Sequence, residues 1–481
     1  LPGIAAYGAY VPRYRLGAAT AGWNSSVERA VANFDEDSVT MSVAAGADCL
    51  QGLDRNQVDG LIFATTTPPY LEKQNAAIIA AALDLRREIF TADVTGVLKS
   101  GTAALKSALD AVAAGSARQV LVVAADMRQG PPRSDLERSS GDGAAALLVA
   151  RDGVIADFAG SHSITENLLD NWRASGEGFV RSWEDRFATE EGLERVVPEA
   201  VSAFLSQRSL SQKDVRRVAL YAPDRRRHDS LARRLGFAPP QMVEPLFGRL
   251  GCTGAAFPLM LLVRALEQAA AGELLLAVSY GDGCDVLAFR TTPGIKAAAA
   301  EQRGGTGYLD AKVVLDSYET YARWREVWLT DSASRRPSPP APSVAALWRE
   351  TDKNLRLYGG RCSRCGYLQY PQQRICVNCQ ASDSAAPVRL SDQPATLFTY
   401  SMDYIAGAVD TPLVVAVVDF AVGGRMLCMM TDRELREVRI GMPVEMSFRR
   451  LRVVNGIHNY YWKAAPQRLA GKRPAVRAVA S

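Results

Sequence analysis

The chain has 481 residues, of which 48% are hydrophobic and 22% charged, with a formal charge of +4. That length exceeds one ordinary core and predicts roughly two to four packed domains, and the composition excludes disorder over most of the chain. The small positive charge, with no aromatic residues interleaved in a dense basic stripe, argues against nucleic-acid binding. There is no run of about eighteen apolar residues, and the opening LPGIAAYGAYVPRYRL lacks a secretory pattern, so a cytoplasmic protein outside the membrane is expected.

In chain order, Gly60 to Ala64 reads as an apolar strand and Asn75 to Leu83 as a helix. Gly101 to Ala114 is a second helix, stopped at Gly115 and followed by the apolar strand Gln119 to Ala125. Uninterrupted apolar strands of this kind imply an α/β fold whose sheet is covered on both faces. The same pattern returns as a helix from Gly254 to Ala271, a stop at Gly272 and the strand Leu274 to Tyr280, with the two glycines 157 residues apart. Each copy then reaches a Gly-Asp-Gly turn, 141–143 before Ala144 to Val149 and 281–283 before Val286 to Phe289. The region reads as a duplicated unit with halves 1–158 and 159–293.

Residues 294–345 read as a linker with a helix, Tyr318 to Trp328, and a stiff run, SRRPSPPAPS. Residues 346–383 hold a cysteine cluster, and 384–468 carry five short alternating segments separated by turn residues, the pattern of a small barrel. A tail at 469–481 is expected to be disordered.

Cys362, Cys365, Cys376 and Cys379 form C-x2-C, ten residues, then C-x2-C. Each two-residue gap makes a knuckle that aims two thiolates at one ion, and two knuckles complete a tetrahedron suited to Zn²⁺. With all four positions filled by protein the zinc is expected to be structural. Cys49, Cys252, Cys284 and Cys428 lie in apolar stretches and read as buried thiols.

Leu357 to Cys379 followed by the barrel resembles a rubredoxin-like zinc ribbon joined to an OB fold, as in the acyl-CoA-associated proteins that pair with thiolase-like enzymes. Residues 1 to about 292 resemble 3-hydroxy-3-methylglutaryl-CoA synthase and, more distantly, ketoacyl synthase III. The matching pieces are Gly8 to Arg15, Pro68-Pro69-Tyr70, Lys99 to Leu105, Ala125-Asp126, Gln129-Gly130 and Asn171-Trp172-Arg173. The resemblance implies the duplicated five-layered thiolase fold, a homodimer, an acyl-CoA or acyl-carrier-protein thioester as substrate, and a second thiolase-like subunit as a further partner.

It also locates the catalytic positions. The family's nucleophilic cysteine precedes a helix start, where the dipole favours thiolate; this chain has Leu98 there. The family's histidine falls at Tyr221, its asparagine at Cys252 and its glutamate at Thr66. An acyl-enzyme at Leu98 is chemically excluded. Aldol or retro-aldol chemistry on a β-hydroxyacyl thioester survives that loss, because backbone N–H groups at the Leu98 helix start still stabilise an enolate and Tyr221, assisted by Cys252, transfers a proton. The alternatives are a catalytically silent thiolase-like scaffold, and an acyltransferase using Cys252, although a buried cysteine in place of asparagine is more often explained by packing.

Arg226, in the run Asp224 to Arg227, matches the position where the family approaches CoA phosphates; a solvated helix face explains the run as well. His228 is expected at the surface, near a pocket mouth, and neither His162 nor His458 falls on a catalytic position. Asp142 and Asp282 belong to their glycine turns, and the duplication would put both near the cavity, with Asp282 in reach of substrate.

Overall fold

The apolar runs of the N-terminal region assemble into one nine-stranded sheet. The computed structural model describes residues 1–297, 304–328, 340–406 and 408–468. These divide into unit 1 (1–32, 37–80 and 85–321) and unit 2 (33–36, 81–84 and 322 onward).

In unit 1 the strands are β1 (Gly3–Tyr10), β2 (Gly60–Thr65), β3 (Phe90–Thr95), β4 (Gln119–Asp126), β5 (Gly143–Ala150), β6 (Ala156–Thr165), β7 (Arg217–Leu220), β8 (Leu274–Tyr280) and β9 (Gly283–Thr291). Their order across the sheet is β7-β8-β9-β6-β1-β5-β4-β2-β3. The first half runs β1-β5-β4-β2-β3 outward from the centre, and the second runs β6-β9-β8-β7. Met242, bridged in parallel to Val218 of β7, stands where β3 stands in the first half. The duplication read from the two glycine stops is therefore a property of the sheet, with its seam at the short β1/β6 pairing, Gly3 with Asp157 and Ile4 with Ala156. Strands β2, β5 and β8 are buried along their whole length, as expected where both faces are covered.

Helix α1 (Ser38–Cys49) packs on β1 and β5. Helix α2 (Ser100–Ala114) ends at Gly115, which takes the left-handed conformation a residue with a Cβ resists. Helices α3 (Glu194–Gln207) and α4 (Arg225–Leu235) cover the second half. Helix α5 (Phe257–Gln268) stops earlier than the expected Ala271: Ala269 is already extended, and Gly272 serves the turn into β8, its N–H bonded to Thr291 O. The expected helix at 75–83 spans Ala76–Ala82, and that at 318–328 spans Tyr318–Trp324.

The segment 294–345 is not one linker. Gly304–Asp310 is helical, with Tyr308 and Leu309 buried, and Val313–Val314 pairs in parallel with Tyr14 and Arg15. Apolar side chains spaced through this stretch give it a core to join, which an Ala-rich composition concealed. Most of the Pro and Ser run, and the tail from 469, lie outside the described residues.

Unit 2 contains a three-stranded sheet of Leu368–Gln369, Tyr358–Cys362 and Ala385–Arg389, and the barrel strands β10 (Ala395–Asp403), β11 (Leu413–Phe420), β12 (Arg425–Met429), β13 (Pro443–Val454) and β14 (Ile457–Pro466). Their order is β12-β11-β10-β13-β14, and a bridge from Met430 to Ala464 brings β12 back to β14. Alternation along β11 (Val414, Ala416, Val418 and Phe420 inward) is the half-buried strand pattern the sequence showed.

Unit 2 also buries a charge cluster. Asp35, fully enclosed, accepts from Lys463 Nζ at 2.7 Å, Thr431 Oγ1 at 2.9 Å and Arg449 Nη1 at 3.3 Å, while Arg449 Nη2 lies 2.6 Å from Asp432. Burial raises the Asp35 carboxyl, but Lys463 and Arg449 together outweigh it and hold its pKa below the ordinary value. Asp35→Asn takes the carboxylate from Lys463, while Arg449 keeps Glu36 and Asp432, and is predicted to cost about 3–5 kcal/mol in denaturant titration. Because the folded-state pKa is lowered, the wild-type contribution is present at neutral pH and is lost as the pH falls below about 4, whereas the variant's stability loses this component of the acid dependence.

Candidate active site

Four side chains at strand ends build the candidate site. Thr66 follows β2, Asp126 closes β4, Tyr221 follows β7 and Tyr280 closes β8. These are the carboxyl ends of parallel strands, where an α/β sheet leaves a crevice as its chain turns away into loops and helices.

Asp126 is fully buried and accepts five hydrogen bonds: from Thr65 Oγ1 (2.8 Å), Thr66 N (2.6 Å), Thr66 Oγ1 (2.9 Å), Thr67 Oγ1 (3.0 Å) and Ala255 N (2.8 Å). Ala255 lies in the turn that starts α5, so a carboxylate of the first half caps a helix of the second. Gly254 makes the approach possible: its φ is +58°, and a Cβ there would stand 2.2 Å from Asp126 Oδ2. Arg173 Nη2 donates to Thr66 O at 2.6 Å.

Tyr221 and Cys252 meet behind this junction. Cys252 is pinned by its backbone, donating to Ser139 O at 2.7 Å and accepting from Gly141 N at 2.8 Å. The Tyr221 phenol and the Cys252 thiol influence each other electrostatically, and the Tyr221 ring meets Phe257 edge-on at 6.1 Å. Both residues are buried. Burial pushes the Tyr221 phenol well above its ordinary value, and pushes the Cys252 thiol up to about 11 against the opposing charge of Arg128. At neutral pH both keep their protons.

Leu98 is buried just ahead of α2. A Cβ on Gly281, the residue after Tyr280, would lie 3.0 Å from Leu98 Cβ, 3.1 Å from Lys99 N and 3.2 Å from Leu98 N. Among the described residues neither of those two N–H groups has an acceptor. Leu98 thus packs against the turn after β8, and the donors of the helix start remain.

A cleft of about 1400 Å³ opens over Tyr221 and Tyr280. Its wall includes Asp170, Trp172, Phe247 and the arginines 225–227 at the start of α4. Asp224 caps that helix by accepting from Arg227 N at 2.9 Å. Arg225 pairs with Asp229 and Arg227 with Asp224 and Asp185. Arg226 is exposed and, among the described residues, has no carboxylate partner.

The four cysteines of unit 2 converge with their sulfurs within 4.8 Å of one another. Cys362 and Cys379 are 3.7 Å apart, and Cys365 and Cys376 3.6 Å. Those separations fit the edge of a tetrahedron with bonds of about 2.3 Å, and are far beyond a disulfide of about 2.05 Å. Each knuckle is closed by its backbone, Gly366 N to Cys362 O at 2.8 Å and Gln380 N to Cys376 O at 2.9 Å. The donor set fits a tetrahedral metal ion.

Comparison with known proteins now places the chain. A hydroxymethylglutaryl-CoA synthase from Methanopyrus kandleri is 31% identical over 342 residues, which cover 67% of this chain and 97% of that protein. The chain belongs to the hydroxymethylglutaryl-CoA synthase family. Residues 205–289 match the family described as 3-oxoacyl-[acyl-carrier-protein (ACP)] synthase III C terminal, and residues 387–449 match ChsH2, C-terminal OB-fold domain. The fold is shared with the solved 3-oxoacyl-[acyl-carrier-protein] synthase III of Aquifex aeolicus VF5, at TM-score 0.55 and 22% identity, covering 60% of this chain and 100% of that one. It is also shared with MvaS in complex with 3-hydroxy-3-methylglutaryl coenzyme A, at TM-score 0.58 and 22% identity, covering 71% and 94%. This is the thiolase-superfamily fold, with an OB barrel added.

Within this family member, Tyr221 and Arg226 stand in the cleft wall, Cys252 lies behind Tyr221, and Thr66 is bound to Asp126. Leu98 is outside the wall, and Asp282 is exposed in its turn with a φ of +44°. Two expectations are corrected. Asp142 does not approach the cavity, because its Oδ2 accepts from Ala32 N at 2.7 Å in a fully buried turn. His228 is not a surface residue: it lies on the inner side of α4, 3.4 Å from Asp229, and burial lowers its pKa. The sequence reading missed Asp126, Arg128 and Tyr280 as site residues; the available signal was a polar residue closing an otherwise apolar strand. Asp126→Asn removes part of an acceptor shared by five donors and is predicted to cost about 1–3 kcal/mol in thermal or denaturant unfolding, with Cys252 becoming more accessible to thiol-labelling reagents.

Proposed function

We propose that the thiolase-like region makes or breaks a carbon–carbon bond in an acyl-CoA or acyl-carrier-protein thioester by aldol or retro-aldol chemistry, without an acyl-enzyme. The observation that carries this reading is a buried, protonated phenol, Tyr221, in the wall of a cleft rimmed by arginines, near a helix start whose nucleophile position is leucine. In the cleavage direction the thioester enolate draws on the free N–H groups of Leu98 and Lys99, and Tyr221 supplies the proton to its α-carbon. A donor of that kind contributes about 2.7–4 kcal/mol to a transition state when it is fixed in place. Arg226, the cleft arginine without a carboxylate partner, takes the phosphates of the thioester's carrier.

Acyl transfer through Cys252 draws little support from a buried thiol whose pKa is near 11. A silent scaffold is favoured by one observation: Asp126, the carboxylate whose charge acts on Cys252, is saturated by five donors and has no lone pair directed at substrate. A homodimer is supported by β3, an edge strand of the sheet whose first residue, Phe90, is exposed.

Incubation with a panel of β-hydroxyacyl and β-ketoacyl thioesters, followed by chromatography and intact-mass analysis, separates these readings. Turnover without a covalent adduct, reduced about 10²–10⁴-fold in Tyr221→Phe, is expected. Binding without turnover would establish the scaffold, and an adduct on Cys252 would establish acyl transfer.

We also propose that the cysteine set holds a structural zinc ion, since four protein thiolates leave no coordination position for water. Metal analysis is predicted to find one zinc per chain. Cys376→Ser or a strong chelator is predicted to remove it and to unfold the ribbon, as seen in limited proteolysis between residues 358 and 389.

A further inference from the structure

A retro-aldol step needs an acceptor for the β-hydroxyl proton, and the family's glutamate position is Thr66. The cleft wall contains five carboxylates: Asp135, Asp170, Glu177, Asp185 and Asp224. Four of them are held by arginine. Asp135 pairs with Arg138 at 2.8 Å and Glu177 with Arg181 at 2.5 Å, while Asp185 and Asp224 both engage Arg227. Among the described residues Asp170 has no cation partner. Its Oδ1 accepts from Asn171 N at 2.5 Å, which fixes the carboxylate and leaves Oδ2 for another donor. It is half-buried just before the short strand Asn171–Trp172, and its charge acts on the phenol of Tyr280. Its charge also acts on Tyr221.

No other group in the wall suits the task. Tyr221 and Tyr280 are both held protonated by burial, so each donates and neither accepts at neutral pH. His228 stands outside the wall.

Resting on the aldol reading above, we propose that Asp170 is the general base that takes the β-hydroxyl proton of the thioester substrate. As Asp170 Oδ2 accepts that proton, the oxygen forms a carbonyl with Cβ and the Cα–Cβ bond breaks. The electron pair of that bond becomes the thioester enolate. Tyr221 protonates the α-carbon, and the proton on Asp170 returns to the Tyr221 oxygen, so that no proton is gained or lost. The products are a ketone or aldehyde and the shortened acyl thioester. In the synthetic direction the same carboxylate gives its proton to the new hydroxyl.

The test uses the full chain and a β-hydroxyacyl-CoA that the wild type cleaves. Asp170→Asn is expected to lower kcat about 10²–10⁴-fold with KM nearly unchanged, and to abolish the acidic limb of the pH–rate profile. Asp170→Ala is expected to regain part of its rate with added formate, and Asp170→Glu to retain more rate than Asp170→Asn. Variants within threefold of wild-type kcat, with the acidic limb intact, overturn the assignment and leave the aldol reading standing. If the wild type cleaves no member of the thioester panel, the aldol reading itself fails and Asp170 loses its role with it. Melting temperatures close to wild type for all three variants show that the losses are chemical; a shared large drop in melting temperature with no formate rescue also overturns the proposal.

Discussion

One buried carboxylate joins the two halves of the sheet. Asp126 closes a strand of the first half and accepts from the N-terminal turn of a helix in the second, while three threonines from the neighbouring strand end fill its remaining lone pairs. A buried carboxylate that was not so surrounded would lose much of its solvation for nothing. The satisfied one instead sets the distance between the halves, and with it the position of Tyr221, Cys252 and the cleft. The requirement reaches to single atoms, since the turn tolerates only a glycine at residue 254.

Chemistry in this fold is separable from its nucleophile. The position ahead of α2 contributes two things to a condensing enzyme: a side chain that takes up the acyl group, and backbone donors that steady negative charge on the thioester oxygen. On the reading proposed above, Leu98 would remove the first and leave the second. Burial holds Tyr221 and Cys252 neutral, which suits that reading better than attack on carbon. In the proposed chemistry the proton acceptor would come from the cleft wall, where, among the described residues, arginine pairing leaves Asp170 uncommitted.

The second unit solves a different problem. The strands around the cysteines are two to five residues long, and Cys362, Cys376 and Ala381 make up their own small buried cluster. Too little apolar surface is enclosed to offset the entropy of ordering such a segment, and a metal ion held by the four cysteines would supply the missing cohesion. The barrel closes on an apolar interior, yet its unit also encloses Asp35, Arg449, Lys463 and Asp432, charges tolerable only because each meets an opposite one at hydrogen-bonding distance.

Several of the helices and strands, the repeat, the cysteine knuckles and the five barrel segments were readable in the chain itself. They are written in short periodicities: apolar runs for covered strands, glycine stops for helices and alternation for the barrel. That residue 98 is a leucine, which cannot form an acyl-enzyme, was equally legible. What the linear order could not disclose were contacts between residues more than a hundred positions apart. Asp126 looked like the end of a strand until Ala255 was brought to it, His228 looked like a surface residue until its helix face was turned inward, and residues 304 to 321 looked like a linker until Tyr14 and Arg15 gave them a sheet to join. Local patterning decides which element forms, since it depends on neighbours along the chain; the partner of a polar group depends on which distant segment arrives beside it, and only the folded arrangement of both halves decides that.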